Sequence, residues 1–273
     1  MGIGDGLCNV HGTLTRTDRF LRMRITAIIP ARYESTRFPG KPLAAIAGKP
    51  MIQHVYERAC SCEAIQEVCV ATDDERILRE VNRFGGKAVM TAQRHQSGSD
   101  RIAEAARALK LEDDDLIVNI QGDQPLFEPS CVLDLIPPFK EEAPETAMST
   151  LMYRIRNREE IEDPNIVKIV TDAKGWALFF SRCPIPFYRD PDSEPIFFKH
   201  LGLYAQRFRF LKEFAGLPPG RLELAEKLEQ LRVLENGYKI KVIETEYDSI
   251  EIDAPKDIKK VERIIVQQSA QIA

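Results

Sequence analysis

The run RITAIIPA, Arg24 to Ala31, is apolar at most positions, the pattern of a strand buried on both faces of a parallel sheet. The period then changes. In PMIQHVYERAC, apolar or small residues recur at Ile52, Val55, Tyr56 and Ala59, which predicts a helix. A second strand is predicted over EVCVAT, Glu67 to Thr72, and a helix over DERILREVNRFG that stops at Gly85-Gly86. KAVMTA reads as a third strand, DRIAEAARAL as a helix and DLIVNIQGD as a fourth strand. Such alternation predicts a parallel sheet with right-handed crossovers. Ligands of these sheets sit beyond the carboxyl ends of the strands, so the loops after Ala31, Thr72, Ala92 and Ile120 are expected to share one rim.

After about Ala147 the pattern alters. AMSTLMYRI, NIVKIVTD, WALFFSR and FKHLGLYAQR are strand-like with little helix between them, so mixed or antiparallel additions are expected. A short helix near Phe208–Phe214 and a longer one over Leu222–Leu234 follow, then a strand, YKIKVIETE, and a C-terminal helix from about Pro255. On the longer helix Glu226, Glu229, Gln230 and Val233 fall at i, i+3, i+4 and i+7, while Leu224, Leu228 and Leu231 line a different, core-facing side. Residues 1–22 lack periodicity and lack the apolar segment of a signal peptide. Met23 stands just before the first strand, so 1–22 reads as a flexible extension or a start-codon artefact.

Composition narrows the picture. The 273 residues, 44% hydrophobic and 29% charged, suit a soluble chain with a sizeable core and without internal repeats. One compact domain over 23–273 with an inserted lobe is expected. A net charge of -4 argues against a general nucleic-acid or membrane-surface binder, so any affinity for anions must be local. Six scattered cysteines with no pair of C-x-x-C units argue against a zinc site and fit a reducing cytoplasm. No stretch is long and apolar enough to span a bilayer.

Local cations stand out in IIPARYESTRFPGKP, Ile28 to Pro42. Arg32, Arg37 and Lys41 share a loop stiffened by Pro30, Pro39 and Pro42 and turned by Gly40. Their mutual repulsion is offset when a polyphosphate docks, although a solvated surface loop is the plain alternative. Neither the Walker nor the dinucleotide glycine pattern is present. In VNIQGDQP, Asp123 follows a buried strand and a glycine, which aims it at the same rim, and Gln121 offers a donor and an acceptor. A carboxylate facing a phosphate is repulsive unless a divalent cation lies between them; the alternative is a helix cap. Asp253, at the end of a short predicted strand over Ile250–Ile252, either caps the helix that begins at Pro255 or completes a metal pair with Asp123. Ser97, Gly98 and Ser99 open a helix and suit ribose or base recognition, as well as plain helix entry. In the lobe, His200 and Tyr204 share one strand face, and with Arg182 and the polar helix face they form a patch for sugar hydroxyls and a carboxylate, or else a solvated helix face and a satisfied core histidine.

Together these segments resemble the CMP-Kdo synthetase family, the 3-deoxy-manno-octulosonate cytidylyltransferases. Ile29 to Leu43, IPARYESTRFPGKPL, matches that family's opening pattern without departure. ATDD, HQSGSDRI, NIQGDQP, NIVKIV, FSRCPIP, KHLGLYAQR, LEQLRVLENG and IDAPKDI follow in family order, over essentially all of 23–265. Ala254-Pro255-Lys256-Asp257 departs from the usual T-P-E-D. The resemblance implies an α/β nucleotide-diphospho-sugar transferase fold: a Rossmann-like three-layer sandwich with a mainly parallel sheet and a small mixed α+β lobe. It implies a CTP-binding part over about 23–146, a sugar-binding and dimerisation lobe over about 147–236, and a terminal strand and helix over 237–273. It further implies a cytoplasmic homodimer that transfers CMP from CTP to Kdo for lipopolysaccharide assembly, with Mg²⁺. Catalytic roles fall on Arg32, Lys41, Asp123 and Asp253, with Asp123 and Asp253 as metal ligands. CTP contacts fall on Ala31, Arg32, Arg37, Lys41, Ala71, Asp73, Ser97, Gly98, Arg101 and Gln121, and sugar contacts on Gln121, Arg182, His200, Tyr204, Glu229 and Gln230.

Overall fold

The computed structural model describes residues 23–34, 38–95, 97–140, 145–190 and 194–272, with side chains up to 267. The extension expected over 1–22, and Arg37 of the cationic loop, lie outside the described residues. In chain order the elements are β1 (Ile25–Ala31), a 3-10 turn (Lys41–Leu43), the small hairpin β2 (Ala45–Ile46) and β3 (Lys49–Pro50), and α1 (Met51–Cys60). Then come β4 (Glu67–Thr72), α2 (Glu75–Arg83), β5 (Ala88–Met90), α3 (Gly98–Ala108), β6 (Leu116–Asn119) and α4 (Ser130–Leu135). The lobe holds β7 (Thr146–Arg154), α5 (Glu159–Glu162), β8 (Lys168–Thr171), β9 (Ala177–Ser181), β10 (Phe198–Arg207), α6 (Phe208–Gly216), α7 (Arg221–Glu226) and α8 (Leu231–Glu235). β11 (Lys239–Thr245) and α9 (Pro255–Ile272) finish the chain.

One sheet runs β11-β7-β10-β6-β1-β4-β5, with β8 and β9 attached beside β10. β1 pairs parallel with β4 and β6, and β11 pairs parallel with β7. Only β10 runs against its neighbours in that path, antiparallel to both β6 and β7. The lobe strands therefore extend the nucleotide-type sheet, and the sheet is mainly parallel with mixed additions, as expected. Alternate residues of β1 point to opposite layers. Ile25, Ala27 and Ile29 join Ile52, Val55 and Val132 on one face, and Ile28 joins Ile102, Ala105 and Leu211 on the other. A third cluster fills the lobe around Phe180, Phe214 and Leu231. A fourth, of Ile46, Met51, Leu126, Ile252 and Val261, pins α9 and the segment before it to the cationic loop's far side.

Two local expectations fail. The long helix over Leu222–Leu234 is two short ones, broken at Lys227, whose φ of 56° is left-handed. Tertiary bonding overrides the helical periodicity there. Glu223 on α7 takes a two-point ion pair from the buried Arg232 on α8, and this holds the two pieces side by side. Leu228 and Leu231 are buried as predicted, but Leu224 is 54% exposed. The short strand expected at Ile250–Ile252 is irregular chain, although Ile252 N donates to Asp123 O at 3.0 Å.

Candidate active site

β1 lies between β4 and β6, so the chain leaves it in opposite directions and a crevice opens beyond its carboxyl end. A cleft of about 270 Å³ occupies that position, lined by Ala31, Arg32, Lys41, Ser97, Gly98, Arg101, Gln121 and Asp123 among others. Seven of the residues expected to contact CTP thus meet around one cavity, together with the expected metal ligand Asp123. Arg32 is exposed there and makes no ion pair among the described residues. Gly40 adopts a φ of 72°, its N–H donates to Tyr33 O at 2.8 Å, and the loop closes on itself before Lys41.

Lys41 is the hinge of the site. Its Nζ donates to Asp123 Oδ2 at 2.6 Å and to the Ile252 carbonyl at 2.9 Å. With the Ile252 N–H on the Asp123 carbonyl, three segments far apart in sequence converge on one point. Asp123 does not cap the helix that follows it. α4 begins with Pro129 at its N-cap. At α9 Asp257 contributes to the capping, and its Oδ2 accepts from the Asp253 and Ala254 N–H groups at 3.0 and 2.8 Å. Asp253 lines a second cleft, about 590 Å³, with Glu251, His200, Lys199 and the 163–167 loop. Lys41 and Ile252 therefore mark the partition between the two cavities.

Glu251 is the residue the motif reading passed over. It lines the second cleft and keeps an exposed surface there, while desolvation by the dense protein nearby, followed by the charges of Asp123 and Asp253, raises its pKa to about 7. Its Oε1 accepts from the Nε2 of the fully buried Gln124 at 2.8 Å. Its place two positions before Asp253 was the available signal. Gly122 is also required. A Cβ there would lie 3.0 Å from the Pro30 carbonyl oxygen, so glycine lets the Asp123 loop press onto the end of β1.

The remaining nucleotide-side residues are braced. Arg101 is 4% exposed and donates to Asp73 Oδ2 at 2.8 Å and to Thr91 Oγ1 at 2.5 Å. Ala71 is buried within β4 against the α3 layer. Ser97 caps α3 by accepting from Asp100 N, and Ser99 Oγ donates to Glu229 Oε2 at 2.9 Å. That bond docks the 229–230 turn of the lobe onto α3. Burial first raises the Glu229 pKa, and Ser99 and Ser97 partly offset this. Gln230 beside it is buried.

β10 delivers His200 and Tyr204 because it runs against β6 and β7, so its early residues stand at the rim where β6 ends; Tyr204 pairs with Asn119. Between Leu201 and Tyr204 the strand advances three residues while β7 advances one, from Leu151 to Thr150. Two extra residues preserve the alternation, and the His200 and Tyr204 rings lie 5.2 Å apart. Thr150 Oγ1 donates to Leu203 O at 2.8 Å, so His200 Nε2, at 2.9 Å, is the donor to Thr150. Burial pushes the His200 pKa down to about 3, which keeps the ring neutral, and pushes the Tyr204 pKa up. Arg182 stands apart from this pair. Its Nε donates to Glu226 O at 2.7 Å and its Nη1 to Pro164 O at 2.8 Å.

A family model described as cytidylyltransferase matches residues 26–241. A 3-deoxy-manno-octulosonate cytidylyltransferase of Syntrophus aciditrophicus (strain SB) is 53% identical over 89% of this chain and 98% of its own. An 8-amino-3,8-dideoxy-manno-octulosonate cytidylyltransferase of Shewanella sp. (strain ANA-3) is 55% identical over 88% of this chain and 98% of its own. Among solved structures, a CMP:2-keto-3-deoxy-manno-octonic acid synthetase complexed with CTP superposes with a TM-score of 0.83 at 41% identity, covering 90% of this chain and 99% of that one.

Proposed function

The chain belongs to the cytidylyltransferase family, in the branch of the manno-octulosonate enzymes, and from that premise we propose that it transfers CMP from CTP to the anomeric hydroxyl of Kdo, 3-deoxy-D-manno-octulosonate. The hydroxyl oxygen bonds to the α-phosphorus, the bond to the β-phosphate bridge breaks, the hydroxyl proton is lost and pyrophosphate leaves. The observation that carries this reading is the convergence of Lys41, Asp123 and the Ile252–Asp253 segment at the crevice beyond β1.

Mg²⁺ is the cofactor in this reading, and the side chains fit it. Asp123, Asp253 and Glu251 crowd closely enough for the first two to raise the pKa of the third, and carboxylate oxygens suit a hard divalent ion. Among the described residues no three His, Cys, Asp or Glu side chains form a ready cage, in keeping with an ion held by one or two carboxylates plus substrate oxygens. Asp123 and Asp253 would hold it. When bound, the ion supplies Lewis-acid polarisation of a phosphoryl oxygen and a lowered pKa for the attacking hydroxyl. Arg32 and the third donor of Lys41 grip the leaving phosphates, and the Arg101–Asp73 brace keeps the opposite wall of the cleft fixed. Neutral His200, with its Nε2–H committed to Thr150, offers Nδ1 as an acceptor to a sugar hydroxyl, and Tyr204 stays protonated as a donor. Positioning and electrostatics carry the catalysis, without a side-chain nucleophile.

Pyrophosphate release measured with each nucleoside triphosphate, with and without Kdo and Mg²⁺, tests the reading. Release with CTP, Kdo and Mg²⁺ together is expected; release that ignores Kdo, or that runs equally with ATP, overturns it. A second reading, an 8-amino sugar as acceptor, is favoured by relatives of that name at equal or higher identity. Direct competition between the two sugars decides. We also propose a cytoplasmic homodimer that feeds lipopolysaccharide assembly. Leu178 and Phe187, 61% and 88% exposed on the lobe, support such pairing, and among the described residues no helix is long and apolar enough to cross a membrane.

A further inference from the structure

We propose that Lys168, buried behind Arg182, is a positioning and charge-supplying residue for the carboxylate of the acid sugar; this rests on the sugar reading given above. Lys168 is fully buried on β8, where it stands opposite Ser181, the neighbour of Arg182. A buried ammonium normally carries an acidic partner. Lys168 has none among the described residues. Its Nζ donates instead to two main-chain carbonyls, Asp163 O at 2.8 Å and Ile166 O at 2.6 Å. Arg182 bonds the same way, to Pro164 O within that very turn and to Glu226 O.

Four carbonyls therefore fix two cations, and carbonyl dipoles solvate a cation without cancelling its charge. The turn they share, residues 163–167, forms part of the second cleft's wall, beside His200. Of the acids nearby, Glu162 makes no ion pair with either cation among the described residues, although its charge reaches Lys168, and two others are engaged elsewhere. Glu226 accepts from Ser181 Oγ and from the Arg182 backbone N–H, and Asp163 Oδ1 accepts from Asn165. Neither pairs with the ammonium or the guanidinium among the described residues. The cost of keeping this pair is visible: desolvation first, and Arg182 among the later causes, lower the Lys168 pKa against the opposing pull of Asp163, Cys183 and Glu162. Two neighbouring cations whose head groups rest on carbonyls, and on no carboxylate among the described residues, are suited to receive a carboxylate.

Two variants test this, Lys168→Met and Lys168→Gln. The second removes the charge but keeps an N–H donor group, one bond closer to the backbone, facing the Asp163 and Ile166 carbonyls. Dissociation constants are measured by calorimetry for Kdo and for its neutral C1 carboxamide, and for CTP. Wild type is expected to prefer the acid, and both variants to lose about tenfold of that preference, the size of one charge interaction across several ångströms of protein, with CTP affinity unchanged. Recovery in Lys168→Gln, or equal weakening of acid and amide, overturns the proposal in favour of a purely structural lysine. A wild type that binds Kdo without preferring the acid also overturns it. A wild type that binds neither sugar form overturns the sugar reading itself, and this inference with it. If Lys168→Met fails to fold, the Lys168→Gln comparison stands alone.

Discussion

Replacing Lys41 with methionine removes the single ammonium that ties Asp123 to the Ile252 carbonyl while nearly preserving side-chain length. Hydrogen bonds to charged groups contribute about 1.5–3 kcal/mol each. Lys41 and Asp123 keep 15% and 28% of their side-chain surface, so solvent screening holds the combined loss near about 2 kcal/mol. A domain of this size shifts its Tm by roughly 2–4 °C per kcal/mol, which gives a drop of about 4–8 °C. The loss has a second component. Without the ammonium, Asp123, Asp253 and Glu251 face one another with reduced compensation, and the repulsion that already raises the Glu251 pKa grows. Mg²⁺ in the buffer is then expected to raise the melting temperature of Lys41→Met more than that of wild type, through preferential binding to the folded state. Scanning fluorimetry across a MgCl₂ series reads both effects, and pyrophosphate release should fall about 10²- to 10³-fold, with the CTP response hit harder than the Kdo response. An unchanged Tm, with identical Mg²⁺ responses and an unchanged CTP dependence, would refute the convergence on which the site is built.

Three further outcomes are expected. Asp123→Asn should fold normally by circular dichroism yet nearly abolish turnover at any Mg²⁺ level; full activity removes Asp123 from the reaction. Gly122→Ala places a Cβ 3.0 Å from the Pro30 carbonyl, so the Asp123 loop must yield by a few tenths of an ångström. About a tenfold loss of kcat is expected for that shift, at a stability cost of about 1–3 kcal/mol, and an unaltered kcat argues against tight placement of Asp123. His200 governs part of the acid response. Its folded pKa of about 3 lies below the ordinary 6.5, so unfolded chains take up the proton first and the stability present at neutral pH is lost as pH falls from about 6.5 towards 3. Urea melts of wild type should lose about 1–2 kcal/mol more than those of His200→Gln between pH 6.5 and 5, and parallel curves would show that the ring is not kept neutral by the fold.

The strand–helix alternation through Asn119 was legible because β1, β4 and β6 are buried on both faces and each helix carries one apolar stripe. The rim position of Lys41 and Asp123 followed from topology alone. Other features depend on partners that no local pattern reveals. Periodicity over 222–234 favoured one helix, but the Glu223–Arg232 pair is a tertiary contact and it outweighs continuity at Lys227. Ile250 and Ile252 alternate like a strand, yet Ile252 has an apolar cluster and a single main-chain bond to hold it, without a neighbouring strand. The capping contribution of Asp257 turned on its carboxylate reaching back to two N–H groups at the helix start. Glu251 looked like the polar half of an alternation, and only its approach to Asp123 and Gln124 gives it a role.

The double insertion in β10 limits how that strand tolerates length changes. Because two residues are added rather than one, Leu203 and Ala205 return to the same layer as Leu201, and Tyr204 returns to the layer of His200. Loss of either Gly202 or Leu203 alone would rotate every later position by half a turn, turning the Tyr204 ring towards the α1 layer and its apolar neighbours towards the crevice. Loss of both would restore the parity but leave no slack between the two rings. Indels in this stretch are therefore expected to survive only in pairs, a bias that a deletion-scanning library with a folding reporter would expose.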